Sequence, residues 1–111
     1  MAKQRMRQIN SELRSYFATA LLRELELPAG AIVSVTRVST TKDLHYATVY
    51  LSITPDAQTG TVLLLIKKNS AALIGSVADH ITFRSVPHFR FVLDDTERKA
   101  AHIEALLDSI M

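Results

Sequence analysis

The sequence predicts an α+β fold on three patterns: an apolar stripe at helical spacing opens the chain, two β-branched runs follow, and a second helical stripe precedes a third alternating run. Ile9, Leu13, Tyr16, Phe17, Ala20 and Leu21 recur at steps of three and four, so one face of a helix is apolar. That helix ends before Pro28, whose ring disfavours helical geometry at Leu27. Pro28-Ala29-Gly30 reads as a turn, and the β-branched run Ile32-Val33-Ser34-Val35-Thr36-Arg37-Val38 as a first strand. Thr40 to Asp43 makes a polar turn. Ala47, Val49, Leu51 and Ile53 then alternate with Tyr46, Thr48, Tyr50 and Ser52, which predicts a second strand with its aliphatic face in the core, paired as a hairpin with the first.

Pro55 closes that strand. In Thr61-Val62-Leu63-Leu64-Leu65-Ile66, β-propensity favours a strand, but neither length nor periodicity decides between strand and helix. From Ala71 onward, Ala72, Leu73, Val77 and Ile81 share one helical face, with Asn69 or Ser70 as the N-cap. Val86-Pro87 ends that helix. Phe89, Phe91 and Leu93 alternate with His88, Arg90 and Val92 as a third strand, and Asp94-Asp95-Thr96 supplies caps for a last helix with the stripe Ile103, Leu106, Leu107 and Ile110.

At 111 residues, with no repeat and no dividing linker, residues 1–111 are expected to form one domain. A chain of this size buries roughly two thirds of its unfolded surface, enough to fold without staples. Cysteine is absent, which excludes a disulfide framework, a thiolate metal site and a cysteine nucleophile. Met1-Ala2-Lys3-Gln4-Arg5 begins as a signal peptide does, yet no apolar core follows it, and the apolar run Val62 to Ile66 is far too short to span a bilayer. A soluble protein in the cytoplasm, with no membrane association, is the expectation.

The net charge of +2 is small, but it is distributed unevenly. Lys3, Arg5, Arg7 and Arg14 are countered only by Glu12 near the start, whereas Asp94, Asp95 and Glu97 make the later segment acidic. Three cations in the first helical turns also oppose the helix dipole, a mild cost that favours a binding role for them. The second basic cluster is Lys67-Lys68-Asn69-Ser70-Ala71, where one apolar run ends and a helical one begins. A helix starting there directs unpaired N–H groups and a partial positive charge outward, with two lysines alongside, and phosphate suits that arrangement. A solvated turn has the same composition.

Enzymatic motifs fail on context. Ser39-Thr40-Thr41-Lys42 has the S-x-x-K spacing of serine acylases, but it falls in a hairpin turn and the companion motifs are missing. His45, His80, His88 and His102 lack the spacing of a helical zinc pair, and the adjacent Asp94 and Asp95 point to opposite faces of an extended segment, which suits capping better than paired acid and base work. No phosphate-loop or dinucleotide fingerprint is present. The expectation is a chain that is not an enzyme and uses no metal, cofactor or small-molecule substrate. Tyr46 and Tyr50 share the outward face of the second strand, where base stacking competes with plain cross-strand packing as their role.

Taken in order, several segments resemble ribosome-binding factor A, a family of small assembly factors of the bacterial small ribosomal subunit. They are Arg5-Met6-Arg7-Gln8-Ile9, Val33-Ser34-Val35-Thr36-Arg37-Val38 with Lys42-Asp43-Leu44, Ala47-Thr48-Val49-Tyr50-Leu51-Ser52, Val86-Pro87-His88-Phe89-Arg90-Phe91-Val92 with Asp94-Asp95-Thr96, and His102-Ile103-Glu104-Ala105-Leu106-Leu107. The resemblance implies a type II KH-like fold: helix, strand, strand, helix, kink, helix, strand, helix, with the helices on one face of a three-stranded sheet. It also resolves Thr61 to Ile66 as helix, because a fourth strand is inconsistent with a KH-like sheet.

In KH domains a GXXG loop between two helices clamps the RNA backbone. The resemblance implies a small-residue kink in its place, at Asn69-Ser70-Ala71, where Ala71 stands for the family's Gly. Ile74-Gly75 replaces positions that are often basic in relatives, and Leu27-Pro28-Ala29 replaces an Asp-Pro-Arg turn. The implied partners are the small ribosomal subunit and its ribosomal RNA, bound by a monomer late in maturation and rRNA processing. The candidate RNA contacts are Lys3, Arg5, Arg7, Arg14, Lys67, Lys68, Asn69, Ser70 and Ala71, with Arg37, Lys42, Arg84 and Arg90 as secondary candidates. The alternative is a KH-like protein-interaction module without a direct grip on RNA.

Overall fold

A computed structural model describes residues 2–82 and 86–94, with side chains from Gln4 onward. Arg84, the Lys3 side chain and the expected last helix, with Asp95, Thr96 and the stripe from Ile103 to Ile110, lie outside the described residues. Among those described, the elements run α1 (Ala2–Glu24), β1 (Ile32–Thr40), β2 (Tyr46–Thr54), a short 3-10 turn (Asp56–Gln58), α2 (Thr59–Lys68), α3 (Ser70–Ala78) and β3 (His88–Leu93). The α+β class and the expected order hold across this span. The run Thr61 to Ile66 is helical, as the KH-like resemblance implied.

The sheet order is β1-β2-β3, with β1 antiparallel and β3 parallel to the central β2. Parallel neighbours need a crossover, and α2 with α3 supplies it. Ala47, Val49, Leu51 and Ile53 of β2 are all buried, as their alternation predicted. Beneath them lie Leu13 and Phe17 of α1, Val62 and Ile66 of α2, and Leu73 and Val77 of α3. Burying each such side chain is worth about 1.5–3 kcal/mol. Phe17 meets Phe89 and Phe91 of β3 edge-on, with ring centroids 4.8 and 5.6 Å away. Ala72 is a correction to the expected core face of α3: it is exposed, because the stripe runs through Leu73 and Val77.

β1 carries a bulge that its sequence explains in retrospect. Strict alternation would place Val33, Val35 and Arg37 on one face and bury a guanidinium. The register instead slips between Val35 and Arg37, so that Thr36 is the extra residue and Val38 joins Val35 in the core. Arg37 is thereby left on the face away from the helices. The β1–β2 turn is pinned by Thr41, whose Oγ1 donates to Asp43 Oδ1 at 2.6 Å, and by the His45 N–H, which donates to the same oxygen at 3.0 Å. Leu44 takes a left-handed φ of 63° there and packs its side chain against the core.

Candidate nucleic-acid interface

The helix–kink–helix junction is built around one residue. α2 ends at Lys68, and the chain from Asp56 to Lys68 bends by 62° into α3. Asn69 sits at the break with φ −104° and ψ 15°. Its backbone N–H donates to the Leu65 carbonyl at 3.0 Å, its side-chain Nδ2 donates to the same carbonyl at 2.8 Å, and its own carbonyl accepts from the Leu73 N–H at 3.0 Å. Asn69 is thus the N-cap residue of α3, as expected, but without a capping bond from its side chain. The Asn69 side chain closes the C-terminus of α2 and makes no capping bond to α3, because its amide is a donor aimed at a terminal carbonyl. The first N–H groups of α3 therefore receive no bond from the capping side chain, beside half-buried Ser70 and exposed Ala71.

Below the kink, α2, α3 and β3 enclose a cleft of about 610 Å3. α2 contributes Gly60, Leu63, Leu64, Ile66 and Lys67, α3 contributes Ser70 and Ile74, and β3 contributes Phe89, Arg90 and Phe91. The floor is apolar and the rim is polar and cationic, so the cleft offers van der Waals contact to a planar or aliphatic group and a charged lip to a phosphate.

Of the expected contacts, Lys67 and Ser70 meet in this cleft, and Lys68, Asn69 and Ala71 adjoin it at the kink; Arg90 borders it from β3, but its register with Thr48 places its side chain on the opposite face of the sheet. Arg5 and Arg7 are exposed on the first turns of α1, an element that supplies no lining residue. Arg14 points to the opposite edge of the sheet, where its Nε donates to the Val35 carbonyl at 3.1 Å and so satisfies the backbone at the bulge. Lys42 is on the β1–β2 turn. The basic residues thus form separate groups across the molecule. The apolar lining, Leu63, Leu64, Ile74, Phe89 and Phe91, was absent from the expected site. A leucine 69% exposed in the middle of a core helix, Leu64, is its clearest structural mark.

Away from the helices, the Arg37 Cζ lies 3.7 Å from the centroid of the Tyr50 ring. Asp94 Oδ2 is 3.5 Å from Arg37 Nε and accepts from Thr36 Oγ1 at 2.5 Å. The Asp94 carboxylate, expected as a helix cap, is therefore engaged across the sheet. Tyr46 meets His88 edge-to-face, centroids 6.1 Å apart. No single described helix is long and apolar enough to cross a membrane.

Residues 5–107 match the family Ribosome-binding factor A. The chain is 37% identical over 106 residues to ribosome-binding factor A of Chlamydia abortus, covering 93% of this chain and 88% of that one. Its backbone is similar to a crystal structure of ribosome-binding factor A from Thermus thermophilus, with a TM-score of 0.69 at 18% identity over 84% of this chain and 99% of that one. A homology model of a Thermus thermophilus ribosome binding factor A, fitted to a cryo-electron-microscopy map of a 30S complex, superimposes with a TM-score of 0.64 at 19% identity, covering 80% of this chain and 94% of that one. The KH-like fold accords with these neighbours, and the sequence match over nearly the whole chain decides the assignment: this chain belongs to the ribosome-binding factor A family.

Proposed function

We propose that this chain is a monomeric, cytoplasmic, non-enzymatic assembly factor that grips the ribosomal RNA of immature small subunits late in maturation and rRNA processing, and leaves when maturation is complete. The observation that carries this reading is the convergence of Lys67 of α2 and Ser70 of α3 on one cleft beneath a kinked helix pair, above an apolar floor completed by β3. Family membership and the 30S complex reported for the Thermus relative support it.

Lys67 and Lys68 neutralise phosphates, the uncapped start of α3 presents N–H groups to the same backbone, and the apolar floor accepts a sugar or base. Lys3, Arg5 and Arg7 add charge from α1, and no cofactor is required.

The apolar lining of the cleft favours one second reading, a protein-interaction module without direct grip on RNA. Gradient sedimentation of the tagged chain tests the first reading, which expects it with free, immature small subunits. Co-migration with translating ribosomes alone would overturn the assembly role. Binding to purified small-subunit RNA that weakens steeply with salt separates the readings, since the protein module shows no such binding.

A further inference from the structure

The face of the sheet opposite the helices, which no other described element covers, carries an arrangement that the cleft reading does not use. Arg37 is held over Tyr50 with Asp94 at its Nε edge, and Thr36 fixes the Asp94 carboxylate in turn. The guanidinium is thus positioned before any ligand arrives, and its side chain is 54% exposed. Tyr46 stands four residues earlier on β2, hence on the same face and roughly 13 Å away along the strand. It is 59% exposed, with His88 against it edge-to-face, which leaves a ring face for stacking. Arg90 occupies the rung between the two tyrosines, in register with Thr48.

Two π surfaces about four rungs apart, with positive charge on the rung between them, fit a strand of nucleotides. A duplex keeps its base faces stacked on one another, so it cannot use the rings. An acidic protein surface would use the arginines and leave the rings idle. We propose that this face binds single-stranded RNA, with one base stacked on Tyr46, another on the Arg37 guanidinium above Tyr50, and Arg90 lending charge to the backbone between them.

Fluorescence anisotropy of a labelled oligouridylate with the full chain tests the proposal. Tyr46→Ala and Arg37→Ala are each expected to weaken binding roughly tenfold, the scale of one lost stacking contact. Tyr46→Phe keeps the ring and retains wild-type affinity. Tyr46→Ala removes no cation, so the dependence of affinity on salt keeps its slope, a result that a purely electrostatic surface would share only with unchanged affinity. Circular dichroism confirms folding; should Arg37→Ala unfold, the exposed Tyr46 pair of variants decides alone. Failure of the wild-type chain to bind the oligouridylate overturns the proposal, and so does equal affinity of Tyr46→Ala and wild type. Loss of binding in the Lys67→Ala, Lys68→Ala double variant with none in Tyr46→Ala assigns the RNA to the cleft and likewise overturns it.

Discussion

Asn69 turns its side chain back on Leu65, so the Leu65 carbonyl at the end of α2 accepts two bonds from one residue, at 3.0 Å from the backbone and 2.8 Å from Nδ2. A chain that must turn 62° within one residue ordinarily strands terminal carbonyls. Asn69→Ala keeps the backbone bond and loses the other, so it is expected to destabilise the fold by about 1 kcal/mol, read as a lower midpoint in urea unfolding. A midpoint equal to wild type would show that water replaces the amide at no cost.

Ala71 stands where the family resemblance implies Gly, yet the position is inside α3 with ordinary helical geometry. Positive φ is not required there, and glycine loses more backbone freedom on helix formation than alanine does. Ala71→Gly is therefore expected to lower stability by about 0.5–1 kcal/mol in thermal unfolding. A stabilised variant would mean that the junction is strained.

Val49 is fully buried at the centre of β2, on the face that meets α1 and α2. Val49→Asp places a carboxylate there without a partner, and the expected loss exceeds ~4 kcal/mol, a large fraction of the stability of a domain this size, so the thermal midpoint is expected to fall sharply. A thermal midpoint near wild type would invert the assignment of the two sheet faces.

The elements were legible where one periodicity dominated. α1 and β2 each present a single clean stripe, and its aliphatic residues, with Phe17, are the residues buried, Tyr16 only in part. The bulge at Thr36 was hidden because alternation fails there, and Val38 reaches the core only by a slip of register that the turn at Thr41 and Asp43 helps to fix. Long-range partners were equally hidden. Arg14 reads as a surface cation, but it serves the Val35 carbonyl, and Asp94 reads as a cap, but it serves Thr36 and Arg37. Both depend on which strands lie side by side, and local pattern does not carry that information. The cleft was half legible: Lys67 and Ser70 announce themselves by type, whereas its floor comes from Leu63, Phe89 and Phe91, which in sequence look like any other core residues.

The Asp43 carboxyl is held below the usual aspartate range, first by the Thr41 hydroxyl and then by the His45 N–H, both of which bond its charged form. A folded-state value below the unfolded one means that the turn's contribution is present above the unfolded pKa and is lost as pH falls through the folded one. Thr41→Val removes the largest cause, so a carboxyl NMR titration is expected to show Asp43 moving up toward the usual range. An unmoved titration would place the cause in the backbone bond alone.

Lys67 and Lys68 close α2 on its solvent side, and both are exposed. Replacing the pair by alanine leaves the core untouched and removes two cations that favour a helix C-terminus, so stability is expected to fall by less than ~1 kcal/mol. Binding to small-subunit RNA should weaken for all sequences alike, because phosphates carry no base identity. The slope of log K against log salt should shrink in magnitude by roughly one to two units, since each lost phosphate contact retains its counterion. Affinity and slope both unchanged in the folded double variant would make the junction an ordinary solvated turn, and the RNA would then have to be held elsewhere.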